Sequence, residues 1–156
     1  MTTNPTFDEK AAHRYFAADC FNKAWALIET ENRTPEQDEE MIRLNQASTW
    51  HWTQREDCTP RNMSIGYWQA SRIFAILGRI EPAQRYAELC LQYSEQEPER
   101  PFFLGYAYEA LARAEKLAGN DSKAREHAAK ALRLAGAVTD PEEQKYLLAD
   151  LDGLRL

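Results

Sequence analysis

"AILGRIEPAQRYAELCL" (Ala75–Leu91) and "KLAGNDSKAREHAAKAL" (Lys116–Leu132) align without a gap at an offset of 41 residues. The alignment pairs a glycine, two alanines and a leucine: Gly78 with Gly119, Ala83 with Ala124, Ala87 with Ala128, and Leu91 with Leu132. Glycine often ends a helix because it adopts a left-handed φ that other residues avoid. The small residues that follow let a second helix pack closely against the first. The two stretches therefore predict two helical hairpins of one design.

Proline and capping residues mark helix starts along the rest of the chain. Proline is tolerated in the first helical turn, where its missing N–H has no partner to lose, and five prolines precede helical patterns: Pro35, Pro60, Pro82, Pro101 and Pro141. Capping-box spacing occurs in three pairs: Thr6 with Glu9, Thr34 with Gln37, and Asp140 with Glu143. Sustained alternation typical of strands is missing. We predict an all-α fold of about seven helices, at residues 7–29, 35–56, 60–77, 82–95, 101–118, 121–135 and 141–152.

The turn glycine and the alanines after it resemble those of tetratricopeptide repeats (TPRs), which are helix–turn–helix units. The resemblance covers residues 63–134 and implies a right-handed stack of antiparallel helix hairpins, with residues 1–156 forming a single TPR-like domain. Its predicted parts are an N-terminal hairpin (6–58), two TPR-like units (60–95 and 101–135) and a capping helix (140–152).

A longer stretch, from "FNKAW" (Phe21–Trp25) through "STWHW" to "YWQASRIFAILGRIEPA" (Tyr67–Ala83), is similar to a group of small, uncharacterised bacterial TPR-like proteins. That similarity supplies no activity.

Composition excludes several classes of function. The 156 residues carry a net charge of −6, which argues against nucleic acid or an anionic membrane surface as the partner. No apolar run is long enough to span a membrane, and the start "MTTNPTFDEK" does not read as a signal peptide. The widely spaced Cys20, Cys58 and Cys90 indicate reduced thiols in a cytoplasmic protein. Phosphate loops, nucleophile elbows and zinc motifs are missing, so we predict no cofactor and no catalytic residue.

The repeat also predicts a binding surface. A stripe on the first helix of one hairpin is formed by Ile65, Trp68, Arg72 and Ala75. The equivalent positions in the other hairpin, 41 residues later, are Tyr106, Glu109, Arg113 and Lys116. The TPR resemblance implies that this face lines a concave groove. Arginines and aromatic rings suit a carboxylate-bearing peptide or a small anion. In the alternative interpretation, Arg72 and Arg113 only pair with Glu109 and neighbouring acids.

A second candidate site surrounds "STWHWTQRED" (Ser48–Asp57). Helical geometry directs Trp52 toward the core and Trp50 toward another surface or the N-terminal segment. His51 is interpreted either as a buried imidazole bonded to Ser48, Glu56 or a backbone carbonyl, or as a functional histidine. Antiparallel pairing of the first two helices places His13 near His51, but the spacing to the nearest cysteines is too long for a metal site. The junction of the second and third helices is predicted to bring three residues of one helix toward three of the next: His51, Trp52 and Arg55 toward Asn62, Met63 and Trp68.

Three functions remain open from the sequence. The first is a non-catalytic TPR-like scaffold that binds a protein or peptide segment in its groove. The second is a small-molecule or metal-binding protein, or an enzyme, with a site around His51, Trp52, Trp68 and Arg72. The third is a homodimer or larger oligomer formed through the first helix. That helix carries apolar residues on two faces: Ala11, Tyr15, Ala18, Trp25 and Ile28 on one, and Phe16, Cys20, Ala24 and Leu27 on the other.

Overall fold

The computed structural model describes residues 6–156, which contain seven helices and no strand. The helices are α1 (Glu9–Ile28), α2 (Pro35–Thr53), α3 (Pro60–Ile76), α4 (Ile80–Ser94), α5 (Pro101–Leu117), α6 (Asp121–Ala137) and α7 (Pro141–Gly153). The predicted all-α fold is confirmed. The chain divides into two compact units, an N-terminal hairpin that ends at Cys58 and a C-terminal unit that begins at Thr59. Within residues 6–156, none of the helices has the length and apolar character needed to cross a bilayer.

Most of the predicted helix starts are confirmed. Four of the five prolines are the first residue of a helix: Pro35, Pro60, Pro101 and Pro141. The Thr34–Gln37 capping box is formed in both directions, and the Asp140 carboxylate accepts hydrogen bonds from the first turn of α7.

Two predicted starts differ from the observed ones by two residues, the cap predicted for α1 was wrong, and one cap was missed. Asp8, not Thr6, caps α1 by accepting from the backbone N–H of Ala11. α4 begins at Ile80, so Pro82 is its third residue. A capping box between Thr59 and Asn62 was missed, because asparagine takes the position that glutamate or glutamine usually fills.

The C-terminal unit consists of two hairpins, α3–α4 and α5–α6, with α7 packed on α5 and α6. Gly78 and Gly119 end the first helix of each hairpin at φ values of 71° and 79°, as predicted. Behind these turns Ala83 and Ala124 are fully buried, so the helices of each pair approach closely. α3 also packs against α5, which aligns the predicted stripe across two neighbouring helices.

The N-terminal hairpin is held together by small residues. α1 buries Ala17, Cys20 and Ala24 against α2, and the Ser48 hydroxyl donates to the carbonyl of Ala17 at 2.7 Å. On α2 the buried residues are Met41, Asn45 and Ser48.

Candidate functional site

The predicted stripe of the C-terminal unit is a connected set of hydrogen bonds. The Trp68 indole N–H on α3 donates to Glu109 Oε2 on α5 at 3.1 Å. The Arg113 guanidinium, one helical turn after Glu109, donates to Oε1 through Nε at 2.9 Å and through a second nitrogen. Glu109 is completely buried, so its carboxylate relies on these two partners. Trp68 and Glu109, which occupy equivalent positions in the two repeats, therefore bond to each other.

A second carboxylate, Asp150 of α7, meets the same stripe. The Tyr106 hydroxyl donates to Asp150 Oδ2 at 2.7 Å. Burial, together with the hydrogen bond and charge of Asp150, raises the pKa of Tyr106, so the phenol stays protonated and remains a donor. Sequence reasoning missed Asp150 as a site residue. The sequence pattern that could have indicated Asp150 is its spacing from two buried residues near the C-terminus. Asp150 lies three residues after Leu147 and four before Leu154.

The three basic residues of the stripe differ in how fully they are paired. Arg113 is bonded to Glu109 as described, and Lys116 donates to the backbone carbonyl of Leu154. Arg72 Nη1 lies 3.7 Å from Asp150 Oδ1. This atom is shielded from solvent yet donates no hydrogen bond within the described part of the chain.

Aromatic rings surround Arg72. Its guanidinium carbon lies 5.9 Å from the centre of the Trp68 ring. Trp68 meets Tyr106 edge to face, with ring centres 5.2 Å apart, and Phe102 meets Tyr106 in the same way at 5.1 Å. The alternative interpretation of internal pairing therefore accounts well for Arg113, and less fully for Arg72.

In the N-terminal hairpin, the two histidines are direct partners. His13 Nδ1 of α1 lies 2.8 Å from His51 Nδ1 of α2, which confirms that antiparallel pairing brings them together. One nitrogen donates and the other accepts, so a single proton lies between them. Two of the three partners expected for His51 bond elsewhere, because Ser48 donates to Ala17 and Glu56 pairs with Lys10. Burial and the charge of His13 lower the pKa of His51.

The tryptophans beside His51 have different surroundings. Trp50 is 55% exposed, and its ring lies 5.3 Å from His13 on α1. It faces away from the core toward the N-terminal helix, as predicted. Trp52 is only partly buried, and the Arg55 guanidinium stacks 3.9 Å above its ring.

A polar cavity of about 240 Å³ opens beside His13. It is lined by Lys10, His13, Arg14, Gln54, Arg55, Glu56 and Asp57. Lys10 pairs with Glu56 at 2.9 Å, and Arg55 pairs with Asp57 at 2.8 Å, which lowers the pKa of Asp57 to about 2. Since Lys10 and Arg55 are neutralised by these carboxylates, Arg14 adds a single further positive charge to the lining. Among residues 6–156, no three His, Cys, Asp or Glu side chains are arranged to hold a metal ion.

The predicted site residues divide between the two units. His51 and Trp52 belong to the N-terminal hairpin, whereas the remaining ones belong to the C-terminal unit: Asn62, Trp68, Arg72, Tyr106, Glu109, Arg113 and Lys116. The structure joins Trp68, Glu109 and Arg113 directly. The Asn62 side chain accepts hydrogen bonds from Thr59 at the start of α3, so it has a capping role. The convergence of both sets at the junction of α2 and α3 stays a prediction.

No protein-family model, curated protein or solved structure matches the chain.

Proposed function

We propose that this protein is a non-catalytic TPR-like scaffold that binds a carboxylate-bearing segment of another protein on the α3–α5 stripe. Two features support the TPR-like assignment: both hairpins turn at a glycine of positive φ, and α3 packs on α5. The three cysteines are free thiols, which supports the cytoplasmic location that belongs to this proposal.

The observation that carries the proposal is the incomplete pairing of Arg72. A guanidinium offers five N–H donors, and buried donors in folded proteins almost always have partners. Arg72 Nη1 is out of reach of solvent, makes no hydrogen bond to the described residues, and approaches Asp150 at a distance longer than a hydrogen bond. The Arg72 side chain as a whole is 21% exposed, so a carboxylate from a bound segment would reach the guanidinium through its exposed part, and arginine binds such groups with two parallel hydrogen bonds.

The neighbouring rings support recognition of a peptide over that of a free anion. Trp68 and Tyr106 are fixed by their hydrogen bonds to Glu109 and Asp150, so they present apolar area without losing side-chain freedom on binding. Rigid aromatic residues beside an arginine are the commonest composition of energetically dominant interface positions. The bound carboxylate would share Arg72 with Asp150 or replace it there.

Fluorescence polarisation with labelled peptides tests the proposal. The peptides form a library of random decapeptides, each prepared with a free and with an amidated C-terminus, and with or without acidic side chains. We expect the carboxylate-bearing forms to bind. Arg72→Gln should weaken their binding roughly 10- to 100-fold, because a hydrogen bond to a charged group contributes about 1.5–3 kcal/mol.

Arg85→Gln is the matched control, since Arg85 is an exposed arginine on α4. This variant should bind like the wild type. Equal binding by the Arg72→Gln variant, or no preference for carboxylates, would show that Arg72 does not recognise a ligand.

A further inference from the structure

The side chains that helix α1 buries are small, and two of its aromatic rings are exposed. Ala17, Cys20 and Ala24 are the residues it buries against α2. Tyr15 and Phe16, by contrast, are 61% and 42% exposed. A helix that packs on one neighbour normally buries its largest apolar residues. The outer face of α1 therefore has the composition of an interface.

The exposed rings form one continuous surface with α2. Tyr15 meets Phe16 edge to face at 5.1 Å, and Phe16 stacks on His51 at 5.4 Å. His51 in turn meets Trp50 at 4.9 Å. We call the exposed residues Tyr15, Phe16 and Trp50 the aromatic surface; His13 and His51 lie beneath it as a bonded pair. Contiguous exposed apolar area of this kind marks interaction sites.

The charges near this surface identify its partner. The Tyr15 hydroxyl donates to Asp19, and Asp19 pairs with Lys23 at 2.8 Å. In the cavity beside His13, Lys10 pairs with Glu56 and Arg55 pairs with Asp57. A charge-balanced patch does not repel its own copy, whereas a strongly charged patch calls for a partner of opposite sign. This balance is what a two-fold interface needs, because the same surface meets itself.

We infer that the aromatic surface is the interface of a homodimer, in which α1 and α2 of one copy pack on α1 and α2 of a second. This inference is independent of the proposed binding function of the α3–α5 stripe. Fully covered aromatic side chains bury roughly 150–250 Å² each. Tyr15, Phe16 and Trp50 are 61%, 42% and 55% exposed, so together they offer on the order of 300 Å². A standard interface buries about 800 Å² per partner, so we expect a weak dimer that forms at high protein concentration.

Sedimentation velocity over a range from about 1 µM to about 500 µM tests the inference, since dimerisation follows mass action. We expect the wild-type sedimentation coefficient to rise with concentration from the monomer to the dimer value. The double variant Tyr15→Glu/Phe16→Glu should shift the dissociation constant upward by at least about tenfold, because it places charge in an apolar interface. Tyr15→Ser is a milder second variant that keeps the outcome readable if the double variant does not fold, as judged by circular dichroism.

Tyr146→Glu is the matched control. Tyr146 lies on α7 and is 61% exposed, the same fraction as Tyr15, so this variant should dimerise like the wild type. The inference is overturned if the wild type stays monomeric throughout, if the folded Tyr15 variants dimerise normally, or if Tyr146→Glu weakens the dimer equally. A monomer that instead captures a different protein through Tyr15 also overturns it.

Discussion

The aromatic rings of the C-terminal unit and those of the N-terminal hairpin lie in opposite surroundings. Trp68 and Tyr106 are partly buried, and each donates a hydrogen bond to a carboxylate of its own unit. Tyr15, Phe16 and Trp50 expose between 42% and 61% of their surface, and the polar groups beneath them are two histidines bonded to each other. Fixed rings beside a charged group suit directional recognition of a ligand. Exposed rings over a neutral pair offer area, which suits association through apolar contact.

The largest effect that the comparison predicts comes from the buried carboxylate of the C-terminal unit. Glu109→Ala should lower the free energy of unfolding by about 3–5 kcal/mol, because it leaves Arg113 and the Trp68 indole without their acceptor. Urea unfolding followed by circular dichroism measures the loss.

Glu126→Ala is its control, since Glu126 pairs with Lys130 at the same i, i+4 spacing but on an exposed face of α6. An exposed pair contributes about 0–1 kcal/mol. Equal losses of unfolding free energy in the two variants would mean that burial does not strengthen the contribution of Glu109. The interpretation that Glu109 fixes the rings of the C-terminal unit would then be wrong.

Much of the fold could be predicted from the sequence because the residues that indicate helix starts and ends act locally. The glycines at 78 and 119 need a positive φ, and prolines such as Pro60 and Pro101 are suited to the first helical turn. Errors arose where a different residue supplied the same function. Asp8 caps α1 in place of Thr6, and α4 starts before Pro82.

The site was less predictable because its contacts join distant positions. The stripe of Trp68, Arg72 and Arg113 followed from the repeat, and simple antiparallel pairing placed His13 beside His51. The repeat alone could not show that Trp68 bonds to its own equivalent, Glu109, since that depends on how α3 packs on α5. The bond from Tyr106 to Asp150 depends likewise on the packing of α7.

A smaller effect is expected where α7 meets α5, because this contact positions Asp150. A Cβ added at Gly105 would lie 2.6 Å from the Leu147 side chain, which is fully buried. Overpacking costs about 1–3 kcal/mol, partly offset by up to about 1 kcal/mol from replacing a helical glycine. We therefore expect Gly105→Ala to destabilise the unit by about 1 kcal/mol and to speed amide hydrogen exchange in α7.

Gly136→Ala is the matched control for Gly105→Ala. Gly136 also lies in a helix, and an added Cβ there would meet nothing within 4 Å. This variant should gain about 0.5–1 kcal/mol of stability. If Gly105→Ala gains as much and leaves exchange in α7 unchanged, Leu147 repacks freely and α7 does not hold Asp150 rigidly against Tyr106.

The smallest expected effect is the pH dependence of stability that comes from the histidine pair. Burial and the charge of His13 lower the pKa of His51, so the unfolded chain takes up a proton near pH 6.5 that the folded hairpin resists. Stability from this group is complete above that pH and is lost as the pH falls below it. Glu9 is one charged group near the pair, since its carboxylate lies 3.6 Å from His13 Nε2, and Lys10 and Arg14 line the same cavity as His13.

The urea midpoint of the wild type should therefore fall more between pH 7.5 and pH 5.5 than that of His51→Gln. Burial also lowers the pKa of His127 in the C-terminal unit. The wild type and the His51→Gln variant both retain the contribution of His127. The difference between their changes in urea midpoint with pH therefore reports on His51. Equal slopes would mean that Glu9 and solvent stabilise a second proton on the pair, and the rings above it would then cover a charged site, which disfavours apolar association.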